Sequence, residues 1–174
     1  MLYLLVASVR NEVDNKLLVC HCNVGETLEK TTEYLFSIFD DSLRMMQKAQ
    51  DEQNEYETVY HDIDDPNYVD YVRKTNGFML PYVALRDKVR KKIPLKKSDF
   101  DGITIFGVGK ENGMCIYLSI YEIDSFERAY DIVEVTIDML GYWDEYLPKL
   151  KEAKGSNELF NYLYEACKRF NNGQ

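Results

Sequence analysis

Twice along this chain, two apolar strand-like segments are followed by an amphipathic helix. In the first unit, Leu2–Val9 and Lys16–Val24 have the apolar composition of strands and are separated by a polar loop. A helix is predicted from about Thr27 to Ala49, because apolar residues recur there at helical spacing. Strands joined by short loops pair antiparallel, so this unit predicts a hairpin covered by a helix.

The second unit begins near residue 103. Ile103–Val108 and Met114–Ile123 flank a glycine-rich turn and form the clearest hairpin in the sequence. This turn does not match a phosphate-binding loop, because a strand rather than a helix follows it. Asp124 and Glu127 resemble a capping box, and the pattern after them predicts an amphipathic helix. The apolar side of this helix comprises Phe126, Tyr130, Val133, Ile137 and Leu140.

The two units can be aligned with one another. At an offset of 98 residues, Thr27–Lys30 aligns with Ser125–Arg128, and Phe39 aligns with Ile137. One interpretation is a duplicated ββα unit, which would place both helices on one face of a single sheet. The other interpretation is that amphipathic helices with capping residues resemble one another by necessity. The sequence leaves both interpretations open.

The remaining patterns predict one short strand and four more helices. The strand is Tyr56–Ile63, and the helices are Pro66–Thr75, Pro81–Lys92, Trp143–Ala153 and Ser156–Phe170. We expect Gly155 to end the third of these helices and Ser156 to cap the fourth. The sequence therefore predicts a single α+β domain over residues 1–174, with an antiparallel sheet of four to five strands in two hairpins, packed by five to six helices.

Charge is sharply separated along the chain. The acidic segment, residues 49–72, has no lysine or arginine and carries eight carboxylates and four tyrosines. The basic segment, residues 73–97, follows directly with nine bases and one acid. The acidic segment supplies most of the net charge of −9, because the rest of the chain has 22 acids and 21 bases. Segregation of this kind steers the encounter with a charged partner.

The acidic segment is therefore the candidate binding surface. Carboxylates spaced along a surface can replace phosphates, and tyrosine rings can fill positions where bases stack. We expect an inhibitor, by analogy with small acidic anti-defence proteins of phages, that occupies a basic nucleic-acid-binding cleft of a larger protein. This role requires no catalytic residue, cofactor or metal, and predicts no direct binding to nucleic acid or membrane. The predicted partner-binding residues are Asp51, Glu52, Glu55, Tyr56, Glu57, Tyr60, Asp62, Asp64, Tyr68 and Asp70.

Two other functions fit the same sequence. Asp62, Asp64 and Asp65 follow His61 and offer the oxygen ligands that Mg²⁺ prefers, as in a metal-dependent hydrolase or nuclease. Asp65 also has a structural role available, as the cap of the helix predicted to start at Pro66. Alternatively, an exposed hairpin edge and the tyrosines would suit a homo-oligomeric assembly protein. A purely structural interpretation of the charges is that the acidic and basic segments neutralise one another.

The cysteines indicate a reducing environment. Four cysteines in 174 residues do not make a disulfide framework, and the short apolar start lacks the basic leader of a signal peptide. We therefore expect a cytoplasmic location. Cys20, His21 and Cys22 suggest zinc, but alternation along a strand places His21 on the opposite face from both cysteines. We expect these cysteines, and also Cys115 and Cys167, to be buried as small apolar side chains.

Overall fold

Four strands form one antiparallel sheet at the centre of the molecule. The structure, a computed structural model, describes residues 1–11, 13–37, 40, 80–100, 104–107 and 114–173. The strands are β1 (Leu2–Asn11), β2 (Leu17–Gly25), β3 (Thr104–Gly107) and β4 (Met114–Ile123), and their order in the sheet is β2-β1-β4-β3. The predicted α+β class is confirmed. The strand predicted at Tyr56–Ile63 and the helix predicted at Pro66–Thr75 lie outside the described residues.

Five helices in the described part of the chain pack around this sheet. Residues 28–37 form α1, and Asp40 is helical as well. The other helices are α2 (Leu80–Arg90), α3 (Phe126–Met139), α4 (Trp143–Glu152) and α5 (Ser156–Asn171), and a short 3₁₀ turn spans Lys97–Phe100. The bounds of α2, α4 and α5 agree closely with the predicted helices, because each has a clear apolar side at helical spacing. The helix α1 begins close to the predicted position, and its predicted end at Ala49 lies outside the described residues.

Strand β1 is buried on both of its faces. All six residues from Leu4 to Val9 are buried, because β1 lies between β2 and β4 and helices cover both sides of the sheet. Leu5 and Ala7 pack in a core with α1 and α2, whereas Leu4 and Val6 pack in a second core with α3, α4 and α5. The described residues therefore form three layers: two helices, the sheet, and three helices.

The one-face arrangement that a ββα duplication predicts is wrong. Leu28 and Leu35 of α1 lie in the first core, whereas Val133 and Ile137 of α3 lie in the second, on the opposite face of the sheet. The physical reason is the apolar run of β1, which presents hydrophobic side chains to both faces and therefore needs a helical layer on each.

A close approach of the backbone turns the chain from β2 into α1. A Cβ atom at Gly25 would lie 2.5 Å from Thr31 Oγ1 and 2.9 Å from Thr31 N, so only glycine fits there without a shift of α1. The Thr31 hydroxyl donates a 2.7 Å hydrogen bond to the carbonyl of Thr27, and the Asn23 side-chain amide donates one of 3.0 Å to the carbonyl of Thr31. These bonds hold the first turn of α1 against the end of β2.

Two of the predicted helix caps are wrong by one residue. The N-cap of α3 is Ser125, whose hydroxyl accepts a 3.1 Å hydrogen bond from the Arg128 backbone N–H, so Asp124 is not the cap. Gly155 is the N-cap of α5, without a side-chain hydrogen bond, and Ser156 is the first helical residue. Adjacent residues of similar capping ability cannot be ranked from sequence alone.

Candidate interaction surface

All ten predicted partner-binding residues lie outside the described residues. The same holds for the aspartates proposed as metal ligands, Asp62, Asp64 and Asp65, and for His61. The acidic surface and the metal-dependent alternative therefore both stay predictions. The structure does describe the basic segment from residue 80 onward, the sheet, and the three helices on the second face of the sheet.

Cations of the basic segment form ion pairs with acids outside the acidic segment. Arg86 binds Asp40 through two nitrogens, with Nε–Oδ2 at 2.8 Å and Nη2–Oδ2 at 2.7 Å. Both side chains are mostly buried, with 15% of Arg86 and 13% of Asp40 exposed. The other pairs are Lys88 with Asp99, Arg90 and Lys91 with Asp87, and Lys97 with Glu122. The acidic segment lies outside the described residues, so the interpretation that the two segments neutralise one another stays a prediction.

The ion pairs change the acidity of their carboxylates. A hydrogen bond from Lys91 lowers the pKa of Asp87 below its ordinary value, and a hydrogen bond from Lys88 lowers the pKa of Asp99 in the same way. A carboxyl group with a depressed pKa in the folded state stabilises the fold at neutral pH, and that stabilisation is lost as the pH falls through the folded-state pKa. These pairs therefore hold α2 and the following turn in place near neutral pH.

A row of carboxylates follows the solvent side of α3. Glu127, Asp131, Glu134 and Asp138, here called the acidic stripe, are spaced four, three and four residues apart and so share one helix face. All are exposed except Glu134, which is half-buried, and none makes an ion pair with the described part of the chain. The row extends about 16 Å along the helix axis.

The acidic stripe does not stabilise the helix that carries it. Its three neighbouring like-charge pairs each cost about 0.2–0.5 kcal/mol. The last turn of α3 also has no basic residue to complement the helix dipole, and Asp138 lies near that end. The helix forms nevertheless because Ile132, Val133 and Ile137 on its other side are buried in the second core. Within the described part of the chain, the stripe is thus a negative surface that no ion pair offsets.

Sequence reasoning missed the acidic stripe although its signal was present. The apolar side of α3 was identified, and its buried members Val133 and Ile137 are confirmed. The same helical period, applied to the acids instead of the apolar residues, selects positions i, i+4, i+7 and i+11 from Glu127. The acidic segment, residues 49–72, is the denser cluster of carboxylates and dominates the charge pattern of the sequence.

The pKa of Tyr130 responds to the negative charge of the acidic stripe. Burial, together with the negative charges of Glu134 and Asp131, raises the pKa of Tyr130 above its ordinary value. We expect Asp131→Asn with Glu134→Gln to lower the pKa of Tyr130 part of the way, because the effect of burial remains. A pH titration of ¹³C-tyrosine-labelled protein by NMR measures this. Asp144→Asn, an exposed acid on α4, is the control; a Tyr130 pKa equal in wild type and the double variant would contradict the prediction.

Three of the four cysteines are buried as expected, and His21 faces away from the two beside it, as strand alternation predicts. The prediction for the Cys115 side chain falls outside what the structure describes. Cys20, Cys22 and Cys167 lie in the second core, whereas the His21 ring contacts Tyr34 of α1 edge-on at 6.4 Å. A hydrogen bond with Cys167 and burial both raise the pKa of the Cys20 thiol, which makes it a poor nucleophile. Within the described ranges, no group of three histidine, cysteine or acidic side chains is arranged to hold a metal ion.

A cleft beside His21 is too small for a typical substrate. It lies between β2 and α1, leaves essentially no room for a water molecule, and is lined by Leu5, Ala7, His21, Cys22, Asn23, Tyr34 and Leu35. Ligand sites usually span about 300–1,000 Å³ and contain convergent polar groups. Burial lowers the pKa of His21, so the ring is neutral at pH 7. The cleft is best explained as imperfect packing at the start of α1.

Comparisons with protein families, curated proteins and solved structures found no match for this chain. None of the helices in the described part of the chain combines the length and apolar composition needed to cross a membrane.

Proposed function

We propose that this protein is a non-enzymatic inhibitor whose acidic segment occupies a basic nucleic-acid-binding cleft of a larger protein. The observation that carries the proposal is the run of eight carboxylates within residues 49–72, where no lysine or arginine interrupts them. The partner-binding residues are the ten acids and tyrosines from Asp51 to Asp70 named above. An inhibitor of this kind would suit an anti-defence role.

The charges of the described residues support this proposal. Arg86, Lys88 and Lys91 each bind a carboxylate outside the acidic segment, namely Asp40, Asp99 and Asp87. A cleft that binds nucleic acid is lined with lysine and arginine, and dense carboxylates satisfy those cations as phosphates do. Tyrosine rings between the carboxylates would occupy positions where bases stack.

The acidic stripe of α3 adds a second negative surface. Its four carboxylates are about 5 Å apart along the helix axis, compared with about 3.4 Å per phosphate along one strand of DNA. Because like charges at this spacing weaken the helix, the stripe is better explained by attraction to an external cation-rich surface than by folding stability. The protein would thus present negative charge to its partner from both the acidic segment and α3.

Capture of a partner from a cell extract tests the proposal. We expect immobilised wild-type protein to retain a basic nucleic-acid-binding protein and to release it at moderate salt, because screening weakens long-range attraction. Glu55→Lys with Glu57→Lys and Asp62→Lys should reduce retention at least about a hundredfold, since three attractions become repulsions. Quantitative mass spectrometry of the retained proteins measures both effects.

A charge-matched variant is the control for this capture experiment. Glu33→Lys with Asp144→Lys and Glu152→Lys changes the net charge equally, at exposed acids outside both acidic surfaces. We expect it to retain the partner as the wild type does. Equal retention by the wild type and the acidic-segment variant would overturn the proposal, as would an equal loss in both variants.

A further inference from the structure

Strand β2 forms one edge of the described sheet and carries no charged side chain. Its nine residues, LLVCHCNVG, contain no lysine, arginine, aspartate, glutamate or proline. Charges and prolines are the usual devices that prevent an edge strand from pairing with another chain. An uncharged edge of this length is therefore prone to strand addition unless something covers it.

The open side of β2 presents backbone groups at every second residue. The pairing register places Ser8 opposite Cys20 and Leu4 opposite Val24. Backbone N–H and C=O groups of an antiparallel strand alternate in direction, so residues 20, 22 and 24 share one direction. The N–H and C=O groups of Cys20 both hydrogen-bond to the side chain of Asn171 rather than to β1. The backbone groups of residues 20, 22 and 24 therefore point away from β1.

Side chains of α5 hydrogen-bond to the outward backbone groups of β2 at Cys20 and Val24. The Cys20 N–H donates to Asn171 Oδ1, and Asn171 Nδ2 donates to the Cys20 carbonyl, both at 2.9 Å. The Val24 N–H donates to the Tyr164 hydroxyl, also at 2.9 Å. Between them, Cys167 Sγ lies 3.9 Å from Cys20 Sγ. Positions 164, 167 and 171 share one face of α5, and Cys167 packs with Cys20 and Cys22 in the second core, so α5 lies against the second face of the sheet beside β2.

An amide is well suited to this position. Asparagine carries one donor and one acceptor group side by side, as the backbone of a neighbouring strand does. Asn171 therefore replaces a strand at Cys20, and Tyr164 supplies the acceptor at Val24. Neither contact contributes to the packing of the second core, because Asn171 is exposed and the Tyr164 side chain is partly exposed.

We propose that Asn171 and Tyr164 close the β2 edge against addition of a strand from a second copy of this chain. A second copy is the natural occupant because an antiparallel pair of identical edges is self-complementary about a two-fold axis, and β2 carries no charge to oppose it. Leu18, which is 38% exposed on the same strand, would be covered in such a pair. This inference does not depend on the acidic segment or on its partner.

Removal of the two side-chain contacts tests the proposal. We expect Asn171→Ala with Tyr164→Phe to self-associate at least about tenfold more tightly than the wild type. Sedimentation velocity from about 10 µM to about 500 µM measures this. In dilute solution, the Cys20 and Val24 amides should exchange with solvent at least about tenfold faster than in the wild type, and they should become protected again as the variant associates. Adding Leu18→Lys to the same variant should restore the monomer.

Matched substitutions and a milder variant keep the test decisive. Asn172→Ala with Tyr162→Phe removes the same chemical groups from α5 and its C-cap without touching β2, and we expect it to sediment like the wild type. If the double variant does not fold, Asn171→Ala alone should show the same association to a smaller extent. A folded variant that sediments like the wild type at every concentration would overturn the proposal, whatever its exchange rates.

Discussion

Replacement of Asp40 by alanine is expected to lower the free energy of unfolding by about 3–5 kcal/mol. For a chain of this size, the melting temperature should fall by about 6–20 °C. Asp40 accepts hydrogen bonds from Arg86 and from the Tyr82 hydroxyl, the latter at 2.9 Å, and Tyr82 is fully buried. The substitution removes a buried negative charge from beside a mostly buried guanidinium, which is among the most destabilising changes in a folded protein.

This contact also joins parts of the chain that are distant in sequence. Asp40 follows α1, and Arg86 and Tyr82 lie on α2, which packs in the same core. Loss of the ion pair should therefore loosen α1 and α2 together and leave the second core largely intact. Urea unfolding followed by circular dichroism gives the free energy, and hydrogen exchange shows which helices open.

An exposed ion pair provides the matched control for Asp40. Glu26 and Lys30 are 3.5 Å apart, with 75% and 67% of their side chains exposed. Glu26→Ala should cost no more than about 0.5 kcal/mol. Asp40→Leu combined with Arg86→Met, which removes both charges, should destabilise less than Asp40→Ala alone. If Asp40→Ala and Glu26→Ala have the same stability, the buried ion pair does not hold the two helices as described.

Local patterns predicted most of the elements that the structure describes. The bounds of β4 agree at both ends, and β1 and β2 begin within one residue of the predicted positions, since alternating or continuous apolar runs with polar breaks are strong strand signals. The helices α2, α4 and α5 agree almost as closely. The caps of α3 and α5 were placed one residue off, because serine, aspartate and glycine compete at neighbouring positions.

The layering of the domain could not be predicted from those patterns alone. The continuous burial of β1 requires cover on both faces, yet a short apolar run does not say which helix lies on which side. The similar capping and spacing of α1 and α3 carried no information about which face of the sheet each helix covers.

Ion pairs between residues distant in sequence could not be predicted from the sequence either. Arg86 pairs with Asp40 and Lys97 pairs with Glu122, although the nearest dense acids in the sequence are those of the acidic segment. Long-range packing, rather than proximity along the chain, decides these pairings. The acidic stripe, by contrast, depends only on helical spacing, and a search for charge periodicity would have found it.

Competition with nucleic acid is expected to weaken the binding of this protein to its partner about a hundredfold. If the acidic segment fills a nucleic-acid-binding cleft, the two ligands exclude one another. An oligonucleotide at about 100 times its own Kd should then weaken the apparent affinity of this protein about a hundredfold. The affinity measured without oligonucleotide should also fall steeply with added salt, because charges dominate the contact. The charge-matched control variant should behave as the wild type does.

A fluorescence anisotropy titration tests this exclusion directly. Labelled wild-type protein is bound to the captured partner, and oligonucleotide is added at constant salt. The proposal predicts that the anisotropy falls to the value of the free protein and that the apparent Kd rises in proportion to the oligonucleotide concentration. A ternary complex, in which the partner holds the oligonucleotide and this protein together at undiminished affinity, would contradict it.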